Sequence, residues 1–377
     1  MREIEELLHL CRYAGASPEI TQGAGGNVSV KAGDGSMWIK ASGYRLSAVR
    51  EDVGYLAMRT PQPDDLSKSV EGLDSGAANI SMSSYLQSLV YDSADLRPSL
   101  ETWFHAVLGR VVLHTHPIYA NAFACMKDGR EALETALPNP PAYVPYEPPG
   151  HRLGDAVHRA VNRFEEQHHV SPARLILENH GLITVAGAAG EAIDETNEIL
   201  EAGCKFFGTL PEDSFEPAKP RPHLERWYED LEREFAARGV PCIVRPARFE
   251  RLYRAAYTDP LECAPIVPDD VVCNGPAILI ADGSQPARAF LAGPGKHIRR
   301  TATILVQDLG FIFLANSASM IDAMEEQLLA NVLVRELIAR RGVCRPLRQH
   351  DIAELLAMDS EKYRQKVLAN GGNECRS

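Results

Sequence analysis

The sequence predicts an α/β protein with two domains, and three observations support this prediction. The chain has 377 residues, which exceeds the size at which a single hydrophobic core usually stops growing. Apolar runs with helix spacing alternate along it with apolar runs typical of strands. A pattern of strand, glycine, strand and helix occurs twice, once in each half. We therefore expect an α/β fold that the chain carries two times.

Composition is that of a globular protein and argues against several classes of partner. Hydrophobic residues make up 45% of the chain and charged residues 24%, which are ordinary values. The formal net charge of −12 argues against nucleic-acid binding, which needs a basic surface. No apolar run approaches the roughly 18 residues of a membrane span. The eight cysteines are scattered and the charged N-terminus is no signal peptide, so we expect a reduced, cytoplasmic protein.

The first 80 residues predict a helix, a hairpin and a loop. Leu7 and Leu8 belong to the apolar stripe of an N-terminal amphipathic helix. The hairpin has strand-like runs joined by Ala-Gly-Asp-Gly. Before it, residues 23–27 are rich in glycine and are either a flexible turn or a backbone cradle for an anion. Residues 60–80 are polar and indicate a surface loop.

Residues 111–117 read as a buried strand that carries two histidines. Alternate residues of a strand face the same way, so His114 and His116 present two imidazoles side by side. His180, which follows another apolar run and precedes Gly181, is a third candidate metal ligand. Three histidines leave one position open on a tetrahedral ion, as in catalytic zinc sites. The alternative is that these histidines only pack in the core.

Glu101 is a candidate acid/base group beside this strand. A helix with Ser99 as its expected N-cap leads directly into the histidine strand, which places Glu101 within reach. A carboxylate beside an open metal position suits proton abstraction next to a carbonyl. The alternative is a glutamate that the helix dipole favours in a first turn. His105 shares its helix face and would either orient Glu101 or pack.

The chain divides at a proline-rich segment. We predict a metal-binding catalytic domain over 1–210, a linker over 211–223 and a C-terminal domain over 224–377. The two predicted domains share a similar stretch of sequence: residues 175–200 of the first align with residues 304–328 of the second.

In this alignment Gly181 falls on Gly310, and Leu309 stands where His180 stands. The C-terminal domain would then be a degenerate, metal-free copy of the first fold. The alternatives are a chance similarity and an unrelated regulatory module.

Five motifs occur in order along the first half: GAGGNVSV, WIKASG, PSLETWFHA, VLHTHP and LENHGLI. Together they resemble the class II aldolase/adducin family over roughly residues 5–205, and most of all the aldolase part of bifunctional rhamnulose-1-phosphate aldolase/alcohol dehydrogenase proteins. The resemblance implies a three-layer α/β/α domain with a central, mainly antiparallel sheet. It also implies a homo-oligomer that acts on a small sugar derivative in carbohydrate metabolism.

The resemblance implies specific roles for the motif residues. A divalent ion, usually zinc, with manganese, cobalt or magnesium as alternatives, would bind to His114, His116 and His180, and Glu101 would be the catalytic acid/base. The substrate phosphate would lie among Gly26, Asn27, Lys40, Ser42, Gly43 and Ser99. Leu100 replaces the second serine of the fuculose-phosphate aldolase pattern. Tyr146, or Tyr143 in the same loop, would be the tyrosine acid that family aldolases often take from a neighbouring subunit.

The function implied is that of a metal-dependent aldolase. It would break or form the C3–C4 bond of a ketose phosphate or related sugar through a metal-stabilised enediolate. A sugar-phosphate epimerase and a sugar-acid hydro-lyase would use the same metal site, and an adducin-like scaffold would use none. The Asn-His-Gly-Leu-Ile stretch favours the aldolase over the epimerase, and the intact set of three histidines and Glu101 favours an enzyme.

Overall fold

The computed structural model describes residues 2–91, 96–239, 242–254, 264–298 and 301–358. The helices are α1 (Arg2–Ala14), α2 (Pro63–Val70), α3 (Ser75–Ser88), α4 (Thr102–Val107), α5 (Ile118–Ala124), α6 (Gly129–Ala136), α7 (His151–His168), α8 (Ala189–Phe207), α9 (Pro222–Ala237), α10 (Arg251–Arg254), α11 (Pro268–Asn274), α12 (Ala287–Ala292), α13 (Ala318–Ala339) and α14 (Gln349–Ala357). The strands are β1 (Asn27–Lys31), β2 (Ser36–Lys40), β3 (Tyr55–Arg59), β4 (Val111–Thr115), β5 (Ala142–Val144), β6 (Arg174–Leu177), β7 (Gly181–Ala186), β8 (Ile243–Pro246), β9 (Leu279–Ala281), β10 (Ala302–Val306) and β11 (Gly310–Ala315).

The first half is built on a seven-stranded sheet in the order β3-β2-β1-β4-β7-β6-β5. Neighbouring strands run antiparallel except for β5 and β6, which are parallel. Successive residues of β4 face opposite sides: Val111 and Leu113 pack with α1 and α8, and Val112 packs with α4 and α7. The predicted three-layer α/β/α domain with a mainly antiparallel sheet is therefore confirmed.

The C-terminal part contains a second sheet in the order β8-β11-β10-β9. Its pairings run antiparallel, antiparallel and parallel, as they do along β4-β7-β6-β5 of the first sheet. The two equivalent hairpin turns also match, since Asn179 (φ 51°) and Asp308 (φ 63°) both adopt the left-handed conformation. Gly181 and Gly310 open the strands that follow. These parallels support the proposal that the second half copies part of the first.

The two halves share one hydrophobic core. Phe123 and Leu182 of the first half belong to the same buried cluster as Phe311 and Met324 of the second. Within the predicted linker, 211–223, Asp213 and Ser214 are buried and Phe215 packs against this core. This segment therefore lies against the fold, and the domain boundaries at 210 and 224 remain a proposal.

The surface loop predicted over residues 60–80 is wrong, because this region forms α2 and the beginning of α3. Pro63 occupies the first turn of α2, where it replaces no intrahelical hydrogen bond, and two aspartates follow it. Asp74 caps α3, since its Oδ1 accepts a hydrogen bond from Ala77 N at 2.9 Å. These helix signals outweigh the polar composition of the segment.

The start of α4 also differs from its prediction. Ser99 was expected as the N-cap, but the helix begins at Thr102 and Glu101 is the capping position. Ser99 Oγ instead accepts a hydrogen bond from Glu101 N at 3.2 Å, within the turn before the helix. Among the described residues, no helix is both long and apolar enough to cross a membrane.

Candidate metal centre

The central strand β4 positions two of the candidate ligands. It lies between β1 and β7, where His114 pairs with Asn27 on one side and with Ile183 on the other. His114 points to the face that carries Phe104, whose ring meets it edge-on. His116 follows the end of the strand, and its N–H donates to Ile20 O at 3.1 Å. Both imidazoles are thus fixed by backbone pairing.

His180 enters from the tight turn between β6 and β7. The left-handed conformation of Asn179 reverses the chain, and Gly181 then passes close to β4. A Cβ on Gly181 would lie 2.6 Å from Thr115 O and 2.8 Å from His116 Cδ2, so a side chain there would push the strands apart. The glycine that follows His180 is therefore required by the close approach of β7 to the histidine strand.

The three imidazoles converge on one point. His114, His116 and His180 are buried, and one nitrogen from each lies within 4.8 Å of the others. The Nε2 atoms of His114 and His116 are 3.1 Å apart. Two nitrogens on a tetrahedral zinc ion, each at about 2.0–2.1 Å, would be separated by roughly 3.4 Å. The residues present therefore fit a divalent ion.

The protonation state also suits ligation. Leu182 O lies 2.9 Å from His114 Nδ1, so this nitrogen is the donor and Nε2 keeps its lone pair for an ion. Burial is the largest cause that lowers the pKa of His114 well below its usual value, although Glu101 opposes it. A neutral imidazole is the form that binds a metal.

Glu101 stands on the open side of the histidine triad. Its Oε1 lies 3.2 Å from His180 Nε2 and 3.9 Å from His114 Nε2. Asn27 Nδ2 donates a short hydrogen bond to the other oxygen, Oε2. The carboxylate is held between β1 and the histidines, where it could reach either an ion or a substrate.

His105 packs against β1, the strand that begins at Asn27. Its Nδ1 lies 2.7 Å from Ser29 Oγ on β1, and its ring stacks on Phe104. Complete burial lowers the pKa of His105 to about 3, so the ring is neutral at physiological pH. His105 therefore packs α4 against β1, the second of the two roles expected for it.

A small cavity beside the triad brings the predicted anion-binding residues together. Its lining comprises Ala24, Gly25, Gly26, Asn27, Lys40, Ser42, Gly43, Ser99, Glu101 and His116. Gly26 has a positive φ of 69°, and a Cβ there would lie 2.7 Å from His114 O. Lys40 is buried, with its Nζ 3.4 Å from Ala24 O. The glycine-rich stretch is thus a structured loop that faces a buried ammonium group and the histidine site.

A larger cavity of about 460 Å³ adjoins the same residues. It shares Ser42, Ser99 and Glu101 with the small cavity, and its far walls come from α3 and from α14 with Met358. The C-terminal half therefore forms part of this wall. A cavity of this size is typical of a small-molecule site.

Tyr146 and Tyr143 are not brought to the triad. Neither tyrosine is among the described residues that line the two cavities. Tyr146 packs in a cluster with Leu100 and Trp103, and its hydroxyl has no hydrogen-bond partner among the described residues. Burial raises the pKa of both hydroxyls. The assignment of a tyrosine acid stays a prediction.

Sequence reasoning missed one residue at the centre, Asp269. Its Oδ2 lies 3.0 Å from His116 Nδ1, and both side chains are buried. Asp269 belongs to the first turn of α11, in the other half of the chain. The Pro-Asp-Asp sequence there indicates only a helix start. The contact between Asp269 and His116 depends on the tertiary structure, and no local pattern predicts it.

The fold is a three-layer α/β/α domain with a mainly antiparallel sheet, and it brings three histidines and a glutamate together. These features define an α/β protein with a candidate catalytic metal centre. Residues 5–206 match the model of the family described as Class II Aldolase and Adducin N-terminal domain, and the chain belongs to this family. The resemblance inferred from the five sequence motifs is confirmed.

Individual relatives are distant. The chain is 27% identical over 244 residues to the uncharacterized oxidoreductase YuxG of Bacillus subtilis (strain 168), a match that covers 56% of this chain and 32% of that protein. The match thus spans about a third of the length of this curated relative.

Among solved structures, the chain is similar to the N-terminal class II aldolase domain of a conserved Thermoplasma acidophilum protein, with 25% identity and a TM-score of 0.45, covering 54% of this chain and 93% of that one. A sugar-phosphate aldolase from Thermotoga maritima has 14% identity and a TM-score of 0.40, covering 55% and 98%.

Proposed function

We propose that the protein is a class II, metal-dependent aldehyde-lyase that breaks or forms a C–C bond in a ketose phosphate or a related sugar derivative. The observation that carries this proposal is the convergence of His114, His116, His180 and the Glu101 carboxylate beside a cavity of small-molecule size. Membership of the class II aldolase and adducin family supports the same chemistry. A native zinc ion is proposed, with manganese, cobalt or magnesium as alternatives.

The ion and Glu101 would divide the chemistry between them. When bound, the ion would supply a Lewis acid that polarises the substrate carbonyl and balances the negative charge that develops on bond cleavage. Glu101 would move a proton at the carbon next to that carbonyl. Asn27 holds Oε2 of the carboxylate, and Oε1, which lies on the side of the histidines, would be the oxygen that moves the proton. Leu182 O keeps His114 in the tautomer that ligation needs.

The small cavity is the proposed subsite for the substrate phosphate. The Gly26–Asn27 turn and Gly43 present backbone groups to this cavity. Ser42 and Ser99 would offer hydroxyls, since the Ser42 N–H donates to Arg97 O at 2.8 Å. Lys40 supplies a positive charge that is buried and therefore weakly screened. The larger cavity would receive the rest of the sugar and the aldehyde product. Tyr146 remains the proposed tyrosine acid, since it packs against the hydrophobic cluster that contains Leu100, a residue of the lining of this larger cavity.

Two alternatives within the same family are another enzyme on the same metal site and a non-enzymatic scaffold. An epimerase or hydro-lyase would require the ion and Glu101 but would release no aldehyde. An adducin-like scaffold would require neither group. The observation against a scaffold is that the three imidazoles and the carboxylate are buried together, an arrangement that is costly to keep without a cation or a proton to share.

The test is aldehyde release by the full chain. Metal-stripped protein and protein reloaded with zinc, manganese, cobalt or magnesium would be incubated with ketose phosphates and their unphosphorylated counterparts. We expect aldehyde release that needs the ion and that is lost in His180→Ala. Conversion of a substrate without aldehyde release would assign an epimerase or hydro-lyase instead, and a chain that binds no ion would assign the scaffold.

A further inference from the structure

The Nδ1 atoms of His114 and His116 have different surroundings. His114 Nδ1 faces the backbone oxygen of Leu182, its neighbour across β7. His116 lies beyond the end of the strand, and within the described part of the chain no backbone oxygen accepts a hydrogen bond from its Nδ1. Its Nδ1 faces Asp269 Oδ2 at 3.0 Å, with both side chains almost completely buried. A carboxylate behind a ligating imidazole fixes the ring and raises its basicity.

The backbone around Asp269 is held rigidly. The neighbouring carboxylate, Asp270, accepts hydrogen bonds from two backbone N–H groups that precede α11. It also accepts from Gln327 Nε2 at 2.9 Å and from Asn331 Nδ2 at 2.8 Å, both on α13. The first turn of α11 is therefore fixed to the longest helix of the C-terminal half, and Asp269 is presented to His116 from a defined position.

The glycine-rich loop leaves room for this contact. A Cβ on Gly25 would lie 2.6 Å from Asp269 Oδ2 and 2.9 Å from His116 Nδ1. Gly25 has no unusual φ that would call for glycine. Its need for a hydrogen in place of a side chain comes from the space that the Asp269–His116 pair occupies.

We propose that Asp269 is a positioning residue for the metal centre, which holds His116 with Nε2 directed at the ion. Since this rests on the proposed metal site, it deepens the proposed function. It also gives the C-terminal half a role. This half has Leu309 in the place of His180, but it contributes the Asp269 carboxylate to the site of the first half. The metal centre is therefore completed only by the full chain.

The test is the metal affinity of full-length variants. Zinc binding would be measured by competition with a chromophoric chelator for the wild type, Asp269→Asn and Asp269→Ala. We expect 10- to 100-fold weaker binding for Asp269→Ala, the usual effect of losing a partner behind a ligand. Asp269→Asn should fall between, because an amide keeps the size of the side chain behind His116 but removes the charge of the 3.0 Å pair.

A matched control separates positioning from a general loss of structure. Glu336→Gln removes another carboxylate of the C-terminal half, which pairs with Arg251 away from the triad. It should bind zinc as the wild type does. The absorption bands of the cobalt-loaded protein give a second readout, because they report ligand geometry: they should shift in the Asp269 variants and stay unchanged in Glu336→Gln.

The possible failures are distinguishable. Zinc affinity and cobalt bands in Asp269→Ala equal to those of the wild type would overturn the positioning role and leave the proposed function intact. Equal losses in Asp269→Ala and Glu336→Gln would also overturn it, since they would indicate a structural effect. A wild-type chain that binds no zinc or cobalt would overturn both proposals.

Discussion

Glu101 Oε1 lies 3.2 Å from His180 Nε2, although the two residues come from separate elements, the start of α4 and the turn between β6 and β7. The strand that lies between them in the chain, β4, carries His114, and His116 follows directly after its end. The carboxylate therefore faces the open side of the triad, where a metal-bound substrate would lie. This relationship supports the proposed acid/base role of Glu101 beside the metal centre.

Glu101→Gln should retain the metal and lose turnover. The amide keeps the size of the side chain but cannot take up a proton, and general acid/base groups typically contribute about 10²- to 10⁴-fold in rate. We expect kcat to fall by at least about 100-fold. Metal content and kcat would be measured on the same preparation, and turnover close to that of the wild type would remove Glu101 from the mechanism.

Lys40→Met should weaken binding of phosphorylated substrates selectively. Hydrogen bonds to charged groups contribute about 1.5–3 kcal/mol, which corresponds to a rise in KM of roughly 10- to 150-fold. Unphosphorylated substrates should be affected little. Lys31→Met is the matched control, because the Lys31 ammonium group donates to the backbone oxygens of Ala106 and Leu108. The subsite assignment is wrong if both substrate classes respond alike to Lys40→Met.

His105 should make the metal-free protein sensitive to acid. The pKa of this ring falls from its usual 6.5 to about 3 on burial, so between these values the unfolded chain binds a proton that the folded chain does not. Stability is therefore lost as pH falls below about 6.5, by about 1.4 kcal/mol per pH unit for this one group. Urea unfolding of the wild type and His105→Asn at several pH values measures the difference in slope. Identical slopes would contradict the prediction.

Asn179 should couple the two halves of the chain. Its Nδ2 donates to Ile266 O and to Arg345 O, each at 2.8 Å, and both acceptors belong to the second half. Asn179→Gly keeps the left-handed turn but removes both donors, so we expect a loss of about 1–3 kcal/mol in the free energy of unfolding.

Asp308→Gly, at the equivalent turn of the second sheet, serves as the comparison. Glycine adopts a φ of 63° without the cost that a side chain has there, so this variant should be neutral or more stable. Wild-type stability in Asn179→Gly by urea unfolding would show that the contacts to the second half add nothing.

The residues of the site that could be predicted from the sequence are those that a local pattern identifies. The alternation within β4 and the glycine after His180 correctly indicate that three imidazoles meet, since both are rules of strand geometry. The motif order places Glu101 and the glycine-rich loop beside them. Asp269 could not be predicted, because its contact with His116 depends on how α11 and α13 pack against the first half.

Elements without apolar periodicity were the hardest to predict. The region of α2 and α3 is polar, yet Pro63 and Asp74 stand where helix starts need them. The second sheet was visible in the sequence only through the Gly310 hairpin, because β8 and β9 are short and separated from it by long intervals. Their pairing is set by long-range contacts that no local pattern encodes.

We propose that the chain carries related folds in its two halves but only one metal centre. The most direct test of this proposal is the number of ions bound per full-length chain, measured by mass spectrometry of the metal in protein reloaded with zinc, and repeated for His180→Ala. We expect one ion per chain in the wild type and a marked loss in the variant. Two ions per chain, or one that persists without His180, would contradict it.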